Sequence, residues 1–216
     1  MKKGFVTSMI IGVITTIIAI WFIITTQGNI PTNWNMEGEA IGSGSPLIMI
    51  IFPITSILVT LLLYFIPRLD PKGENIKKSG PILPMTMILI AALMLGIEIF
   101  IVMAINNGSN ILNMITFMYL IIGILFIVLG YYMPRVRHNY MLGIRTPWTL
   151  YSEDVWNKTH KASKNWFMGI GLSFLVCMFV KEPYNLIIPL VVTGAVVIGI
   201  VIYSYMLFAE EKRGNR

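Results

Sequence analysis

Long apolar runs separated by short polar stretches dominate this sequence. Five of the runs cover residues 5–26, 46–67, 82–105, 111–134 and 186–208. An apolar run of about 18 or more residues matches the roughly 30 Å hydrocarbon core of a bilayer, at about 1.5 Å rise per residue. Each run is therefore predicted to form a transmembrane helix.

A further span, fifth in chain order, is shorter and less apolar than the others. Its core covers only residues 166–180. It reaches membrane length if residues 162–165 join it and Lys164 and Lys181 extend their ammonium groups towards water. The pattern thus predicts an all-α integral membrane protein with six transmembrane helices, the fifth preceded by an interfacial helix.

Composition excludes a soluble domain. Hydrophobic residues make up 56% of the 216 residues and charged residues only 12%, and the mean hydropathy is +0.77. A soluble domain is about 45 to 50% apolar, even with glycine counted, and about 25% charged.

The basic residues indicate orientation. With the N-terminus in the cytoplasm, six spans place the loops 68–81 and 133–165 and the C-terminus inside, with every lysine and arginine except Lys181. This asymmetry agrees with the positive-inside rule. The net charge of +6 is therefore spread over juxtamembrane clusters, which attract anionic lipid and argue against direct nucleic-acid binding.

The first external loop, residues 27–45, combines an aromatic side chain with acids. Trp34 lies close to Glu37 and Glu39 in a stretch rich in glycine and serine, which favours turns. Such a loop is suited to bind a cationic or amphipathic partner. The alternative is an interfacial tryptophan anchor beside solvated carboxylates.

Glu98 lies inside the third span. A carboxyl group in hydrocarbon is unfavourable by a few kcal/mol, so we expect it to face the helix bundle and to be protonated or hydrogen-bonded. Two interpretations have equal weight: a site for a proton or ligand, and a structural hydrogen bond between helices.

The second cytoplasmic loop, residues 134–161, carries local helix signals. Pro147 predicts an extended Thr146, and Ser152 followed by acids predicts a helix start. Asp154 and Lys158 are spaced to pair on that helix. For Trp148, Trp156 and Arg145, an interfacial role with lipid-phosphate contact competes with a platform that binds a partner.

Two sequence motifs resemble a known family. Gly-Ile-Arg-Thr-Pro-Trp-Thr-Leu at 143–150, followed by Glu153, Val155-Trp156 and Thr159-His160, resembles the signature of the SdpI family of bacterial immunity proteins. Residues 30–35, with Gly38 and Gly42, are similar to the short domain of unknown function that opens many of those chains. The resemblance suggests an N-terminal region over 1–81 and an SdpI-like region over 82–216.

The resemblance implies a multi-pass protein of the bacterial plasma membrane that protects its cell against a secreted peptide toxin. It also implies a receptor role, in which a small cytoplasmic helix-turn-helix repressor is held at the membrane. The candidate contacts for the toxin or another partner are Trp34, Glu37, Glu39 and Glu98. The candidate cytoplasmic motif consists of Arg145, Thr146, Pro147, Trp148, Thr149, Glu153, Trp156 and His160.

The main alternative is a small transporter or exporter that uses Glu98 as a proton carrier, although no internal repeat of the kind common in transporters is evident. An enzyme is not predicted. His138 and His160 lack the spacing of a metal-binding pair, and the spans supply one carboxylate where an aspartyl mechanism needs two. We therefore predict no catalytic residues, no metal and no cofactor.

Overall fold

A computed structural model describes residues 1–34, 40–107 and 111–214 of the chain. Most of this part is helical, with one short hairpin. In chain order the elements are α1 (Lys2–Thr25), β1 (Ile30–Trp34), β2 (Ala40–Gly44), a 3-10 turn (Pro46–Ile50), α2 (Ile51–Leu69), α3 (Gly73–Lys78), α4 (Ile82–Asn107), α5 (Ile111–Tyr132), a second 3-10 turn (Met133–Arg135), α6 (Pro147–Tyr151), α7 (Glu153–Cys177) and α8 (Tyr184–Gly214).

Five helices of the described ranges are long and apolar enough to cross a membrane. They correspond to the predicted spans one to four and six, so the all-α membrane class is confirmed. Large apolar side chains on these helices, such as Ile24 and Leu190, are exposed. Such exposure is unfavourable in water and suited to lipid.

Helix α7 contains the predicted fifth span but is not among those five helices. It runs without a break from Glu153 to Cys177, so the polar stretch before the fifth span and the apolar core form one continuous helix. The interfacial position of the polar stretch stays a prediction. Its first part is polar because it carries Asp154, Lys158 and Lys161. The sixth crossing and the positions of the termini stay predictions.

The chain divides into two compact units, each assembled from separate stretches. The first contains residues 1–64 and 84–118, and the second contains residues 65–83 and 119–216. The predicted division at residue 81 also stays a prediction.

In the first unit, α1 packs through a stripe of small side chains. Ser8 and Thr15 are buried on this stripe, and their hydroxyl groups donate to Gly4 O and Ile11 O within the same helix. Small side chains with internally bonded hydroxyls allow helices to approach closely. At the hairpin end, a core forms from Ala19, Phe22, Ile30, Met49 and Val102.

The hairpin replaces part of what the sequence predicted as a turn-rich loop. Strands β1 and β2 pair antiparallel, with Ile30 opposite Gly44 and Trp34 opposite Ala40. Pro31 in one strand and the glycines of the other are poor strand formers. The register shifts twice along this short ladder, as expected for strands that pair weakly.

In the second unit, α5 and α7 approach through glycines. A Cβ atom on Gly171 would lie 2.6 Å from Gly123 O, and one on Gly123 would lie 3.0 Å from Gly171 O. Both positions therefore require glycine for this helix spacing. Below this contact, a core forms from Ile82, Met133, Val136 and Trp156.

Candidate functional site

The motif around residues 143–160 rests on a loop organised by Asn139, which is fully buried. Its Nδ2 group donates to Arg137 O at 2.7 Å and to Leu142 O at 2.9 Å. Its Oδ1 atom accepts from the N–H groups of Met141 and Leu142. A buried side-chain amide is destabilising unless its donors and acceptor are hydrogen-bonded. These four bonds therefore hold the loop in one conformation just before the motif begins. No sequence pattern identified Asn139 as a structural residue.

Thr146 and Thr149 form a reciprocal cap at the start of α6. The Thr146 hydroxyl accepts from Thr149 N–H, and the Thr149 hydroxyl accepts from Thr146 N–H at 2.9 Å. Thr146 is extended, with φ −95° and ψ 160°, and Pro147 is the first helical residue. The predicted effect of Pro147 on Thr146 is thus confirmed, and the two threonines supply the cap.

The same two threonines connect the motif to other segments. The Thr149 hydroxyl donates to Ile144 O at 2.9 Å. The Thr146 hydroxyl lies 3.1 Å from the hydroxyl of Ser204 on α8, to which it donates. Trp148, half-buried, packs edge-on against Tyr205, the residue after Ser204. The Thr-Pro-Trp-Thr sequence therefore attaches α6 to α8.

Trp156 and His160 form the centre of the motif. Trp156 is fully buried, and its indole N–H donates to Val136 O at 2.8 Å. The His160 ring stacks on the indole with 4.1 Å between ring centroids. Its Nδ1 atom lies 2.8 Å from Trp156 O, and its Nε2 atom accepts from Ile144 N–H at 3.0 Å. This arrangement requires a neutral imidazole protonated on Nδ1.

Burial lowers the pKa of His160 to about 4, against a smaller opposing effect of its hydrogen bond to Trp156. The absence of a side chain at Gly143 allows its backbone to pack closely against the His160 ring. Its φ is +108°, and a Cβ atom there would lie 2.5 Å from His160 Nε2. Gly143 therefore has both a conformational and a steric reason to be glycine.

The remaining members of the motif face outwards. Arg145, Pro147 and Glu153 are exposed, and Arg145 Nη1 donates to Tyr140 O at 2.9 Å. The eight predicted residues thus lie together but differ in exposure. Thr146, Thr149, Trp156 and His160 are buried, and Trp148 is intermediate.

Helix α7 begins where the sequence predicted. The Ser152 hydroxyl accepts from Val155 N–H, which caps the helix. Lys158 and Asp154 form an ion pair of 2.6 Å with both side chains more than half exposed. These local predictions are confirmed.

A second polar cluster joins the segment before α3 to the same loop. The carboxylate of buried Asp70 accepts from Lys72 N–H at 2.6 Å and from Tyr140 N–H at 2.8 Å. Lys72 Nζ lies 2.7 Å from His138 Nδ1, and His138 Nε2 lies 3.1 Å from Leu150 O. The sequence did not identify Asp70 or His138 as members of this cluster, because their partners are far along the chain.

Comparisons with known proteins place this region in a family. Residues 135–205, which contain the loop, the motif and most of α7 and α8, match the SdpI/YfhL protein family. The immunity protein SdpI of Bacillus subtilis (strain 168) is 25% identical over 218 residues, covering all of both chains. The predicted resemblance to the SdpI family is confirmed. The chain is accordingly a multi-pass protein of the cell membrane. No solved structure matches it.

We call residues 135–205 the SdpI segment. Both residues of the Trp156–His160 stack and the Thr146–Ser204 contact lie inside it, whereas Asp70 and Lys72 lie outside it and bond to it. The family match therefore contains the hydrogen bonds of the motif, and Asp70 and Lys72 bond to this segment from outside the match.

The other predicted site residues lie outside the SdpI segment. Trp34 is the last residue of β1, while Glu37 and Glu39 fall outside the described residues. Beside the hairpin, an apolar cavity of about 170 Å³ opens. Its lining residues include Ile30, Pro31, Met49, Phe52 and Ile101.

Glu98 is fully buried in α4, as expected for a membrane carboxyl group. Neither of its oxygens has a hydrogen-bond partner within the described part of the chain. An interhelical hydrogen bond, one of the two interpretations of Glu98, is thus not seen among the described residues. The same part of the chain contains no group of three or more histidine, cysteine or acidic side chains that could hold a metal.

Proposed function

We propose that this chain protects the membrane of its own cell against a secreted peptide toxin. The observation that carries the proposal is the relationship to the immunity protein SdpI, which extends over the whole of both chains. It includes the hairpin, the apolar helices and the SdpI segment, so it is not confined to a short motif. The comparisons do not favour the transporter alternative.

The proposed topology has six spans with both termini in the cytoplasm. Five candidate spans and the unbroken helix α7 support the number. The distribution of basic residues supports the orientation, because it leaves only Lys181 outside. The hairpin is then external and the motif is cytoplasmic.

In this topology the toxin meets the hairpin side of the protein. Trp34, Glu37 and Glu39 are the proposed contacts, because an amphipathic cationic peptide would complement an aromatic side chain beside two carboxylates. The apolar cavity at Met49 and Ile101 offers room for an apolar side chain of such a peptide. Glu98 is the proposed deeper contact.

The proposed second role is to hold a small helix-turn-helix repressor at the cytoplasmic face. The buried members of the motif keep its shape, so we assign the contact to the exposed residues Arg145, Pro147 and Glu153. Toxin can control this contact only if it binds one of two conformations more tightly. No step in the proposal is catalytic, in keeping with a family that is not an enzyme family.

The immunity role is tested by deleting the gene and exposing the cells to conditioned medium from the undeleted parent. We expect the deletion strain to be killed, and a plasmid copy of the wild-type gene to restore survival. A Phe179→Ala copy is the control, because this side chain is 88% exposed and should protect fully. Equal survival with and without the chain would exclude immunity.

The signalling role is tested separately with a transcriptional reporter of the same gene. We expect conditioned medium to raise reporter output in wild-type cells but not in cells with Arg145→Ala and Glu153→Gln, which should remain immune. Lys158→Ala, an exposed change on the same helix as Glu153, serves as the control. A reporter that never responds would reject repressor capture and leave immunity intact.

A further inference from the structure

Two segments of the second unit enclose a basic pocket of about 350 Å³ just before α4. One segment contains Lys78 and the turn that follows α3, and the other contains Arg135 and Arg137 after α5. We use the name basic pocket for this cavity, whose lining includes Lys78, Ser79, Gly80, Arg135, Arg137 and Asn157.

Buried hydrogen bonds build the floor of the basic pocket. Ser79 is fully buried, and its hydroxyl accepts from Arg137 N–H at 2.9 Å while donating to Asn75 O at 2.8 Å. Asn75 Nδ2 in turn donates to His138 O at 2.8 Å. The two segments are therefore joined by fixed bonds, and the cavity between them is preformed.

Gly80 makes the turn that opens the pocket. Its φ is +77° and nothing lies within 4 Å of where a Cβ atom would be. Glycine is thus required by backbone conformation and not by crowding. This leaves open space at the mouth of the pocket.

Three cations line this space, and none of them forms an ion pair within the described part of the chain. Lys78, Arg135 and Arg137 are exposed, and the ion pairs found within the described ranges are Lys77–Glu74 and Lys158–Asp154. The charge of Lys78 contributes to a lowered pKa of Glu74, but the main cause is the hydrogen bond from Lys77. Like charges held close together repel one another, and a bound anion removes that repulsion.

The aromatic neighbours of Arg135 indicate where the pocket lies. Its guanidinium is 5.3 Å from the ring centroids of both Tyr131 and Tyr132, at the end of the apolar helix α5. Tyrosines at the end of a membrane span are typical of the headgroup region. A pocket beside them is at the depth of lipid phosphates.

We propose that the basic pocket binds a phosphate group, supplied by the headgroup of an anionic phospholipid or by free phosphate. Lysine and arginine side chains from two segments line the pocket, and such groups can donate several charge-assisted hydrogen bonds to phosphate oxygens. Asn157 on α7 adds an amide donor. The occupied pocket would thereby hold the 78–81 segment to the SdpI segment.

The test uses the purified full-length chain in neutral detergent, with native mass spectrometry of bound dioleoylphosphatidylglycerol or dioleoylphosphatidylcholine. We expect the wild type to bind the anionic lipid about tenfold more tightly, and the double change Lys78→Ala with Arg137→Ala to abolish the preference. Arg137 contacts Ser79 through its backbone, so the change preserves the floor of the pocket.

Lys77→Ala and Lys158→Ala are matched controls, since each also removes one cation but from an acid-paired site. They should retain the preference within about twofold. The single change Arg137→Lys keeps both the positive charge at 137 and the native Lys78. We expect this variant to bind the anionic lipid more tightly than the double alanine variant does. Circular dichroism unfolding of every variant checks the fold.

Inorganic phosphate at constant ionic strength distinguishes the two sources. Displacement of the anionic lipid by millimolar phosphate, or phosphate binding without a lipid preference, assigns the pocket to free phosphate. A lipid preference that phosphate leaves unchanged assigns it to the headgroup. The proposal is overturned if the wild type shows neither property, or if the controls lose as much affinity as the pocket variants.

Discussion

The loop that carries the motif and the helices around the hairpin bury polar groups in opposite ways. In the loop, Asn139, Thr149 and His160 each make two or more hydrogen bonds to other segments or to the backbone nearby. In the first unit, Ser8 and Thr15 bond within their own helix, and Glu98 has no partner among the described residues.

This difference separates two ways of holding helices together. A network of paired polar groups allows one geometry, because any shift leaves a buried donor or acceptor unsatisfied. Contacts between small or apolar side chains tolerate a shift of one helix along another, because dispersion forces and close packing have no fixed direction. We therefore expect the motif to be rigid and sensitive to substitution, and the hairpin side to adapt more easily to a ligand.

The largest expected effect is at Trp156. Trp156→Ala removes a fully buried indole and its bond to Val136 O, so we expect a loss of about 3 to 5 kcal/mol in the free energy of unfolding. The control is Trp21→Ala in α1, whose side chain is 51% exposed and should change stability by less than about 1 kcal/mol. Unfolding by sodium dodecyl sulfate, followed by circular dichroism, measures both. Equal losses would remove the contrast between the two regions.

The second effect is a pH dependence caused by His160. Its pKa is about 4 in the folded chain and about 6.5 when exposed, so the unfolded state binds more protons between these values. Stability should therefore fall as pH drops from 6.5 to 4, by about 3 kcal/mol in the full interval. The measurement is the difference between the wild type and His160→Gln across this range. A constant difference would show that His160 does not cause the loss.

The third effect concerns the contact between Asp70 and the loop. Asp70→Asn replaces one of two accepting oxygens with an amide that cannot accept, so we expect a loss of about 1 to 3 kcal/mol. Glu74→Gln, at an exposed ion pair nearby, should leave the stability nearly unchanged. The same denaturation measures both changes. If the two losses are alike, the buried carboxylate does not secure the loop.

The smallest effect is expected at Glu98. Glu98→Leu replaces a buried carboxyl group that lacks a described partner with an apolar side chain, so stability should stay within about 1 kcal/mol of wild type or rise. The denaturant midpoint in detergent gives the answer. A loss above about 2 kcal/mol in the free energy of unfolding would show that the Glu98 carboxyl group has a stabilising partner. The first unit would then hold its buried polar groups by hydrogen bonds, as the second unit does.

The sequence predicted features whose causes are local. Ser152 before two acidic residues predicted the start of α7, and Pro147 predicted the extended conformation of Thr146. The spacing of Asp154 and Lys158 predicted their ion pair. In each case the interacting groups lie within a few residues of one another. A helix start or an i,i+4 pair can therefore be read directly from the chain.

The sequence did not predict contacts between distant segments. Asp70 and Tyr140 are 70 positions apart, and Thr146 and Ser204 are 58 apart. No periodic pattern marks a single aspartate or serine as the partner of a remote backbone group. The hairpin was missed for a related reason, because its proline and glycines have low strand propensity and only their pairing makes them strands.

By itself, the sequence determined that the chain is a helical membrane protein that resembles the SdpI family, because apolar run length and a specific motif are properties of the linear chain. The tertiary structure decided which motif residues are framework and which are surface. Trp156 and His160 belong to the candidate cytoplasmic motif on sequence grounds, and the structure shows that both are buried and hydrogen-bonded within the chain. Burial depends on what the rest of the chain places around a residue, so no local pattern could have made that distinction.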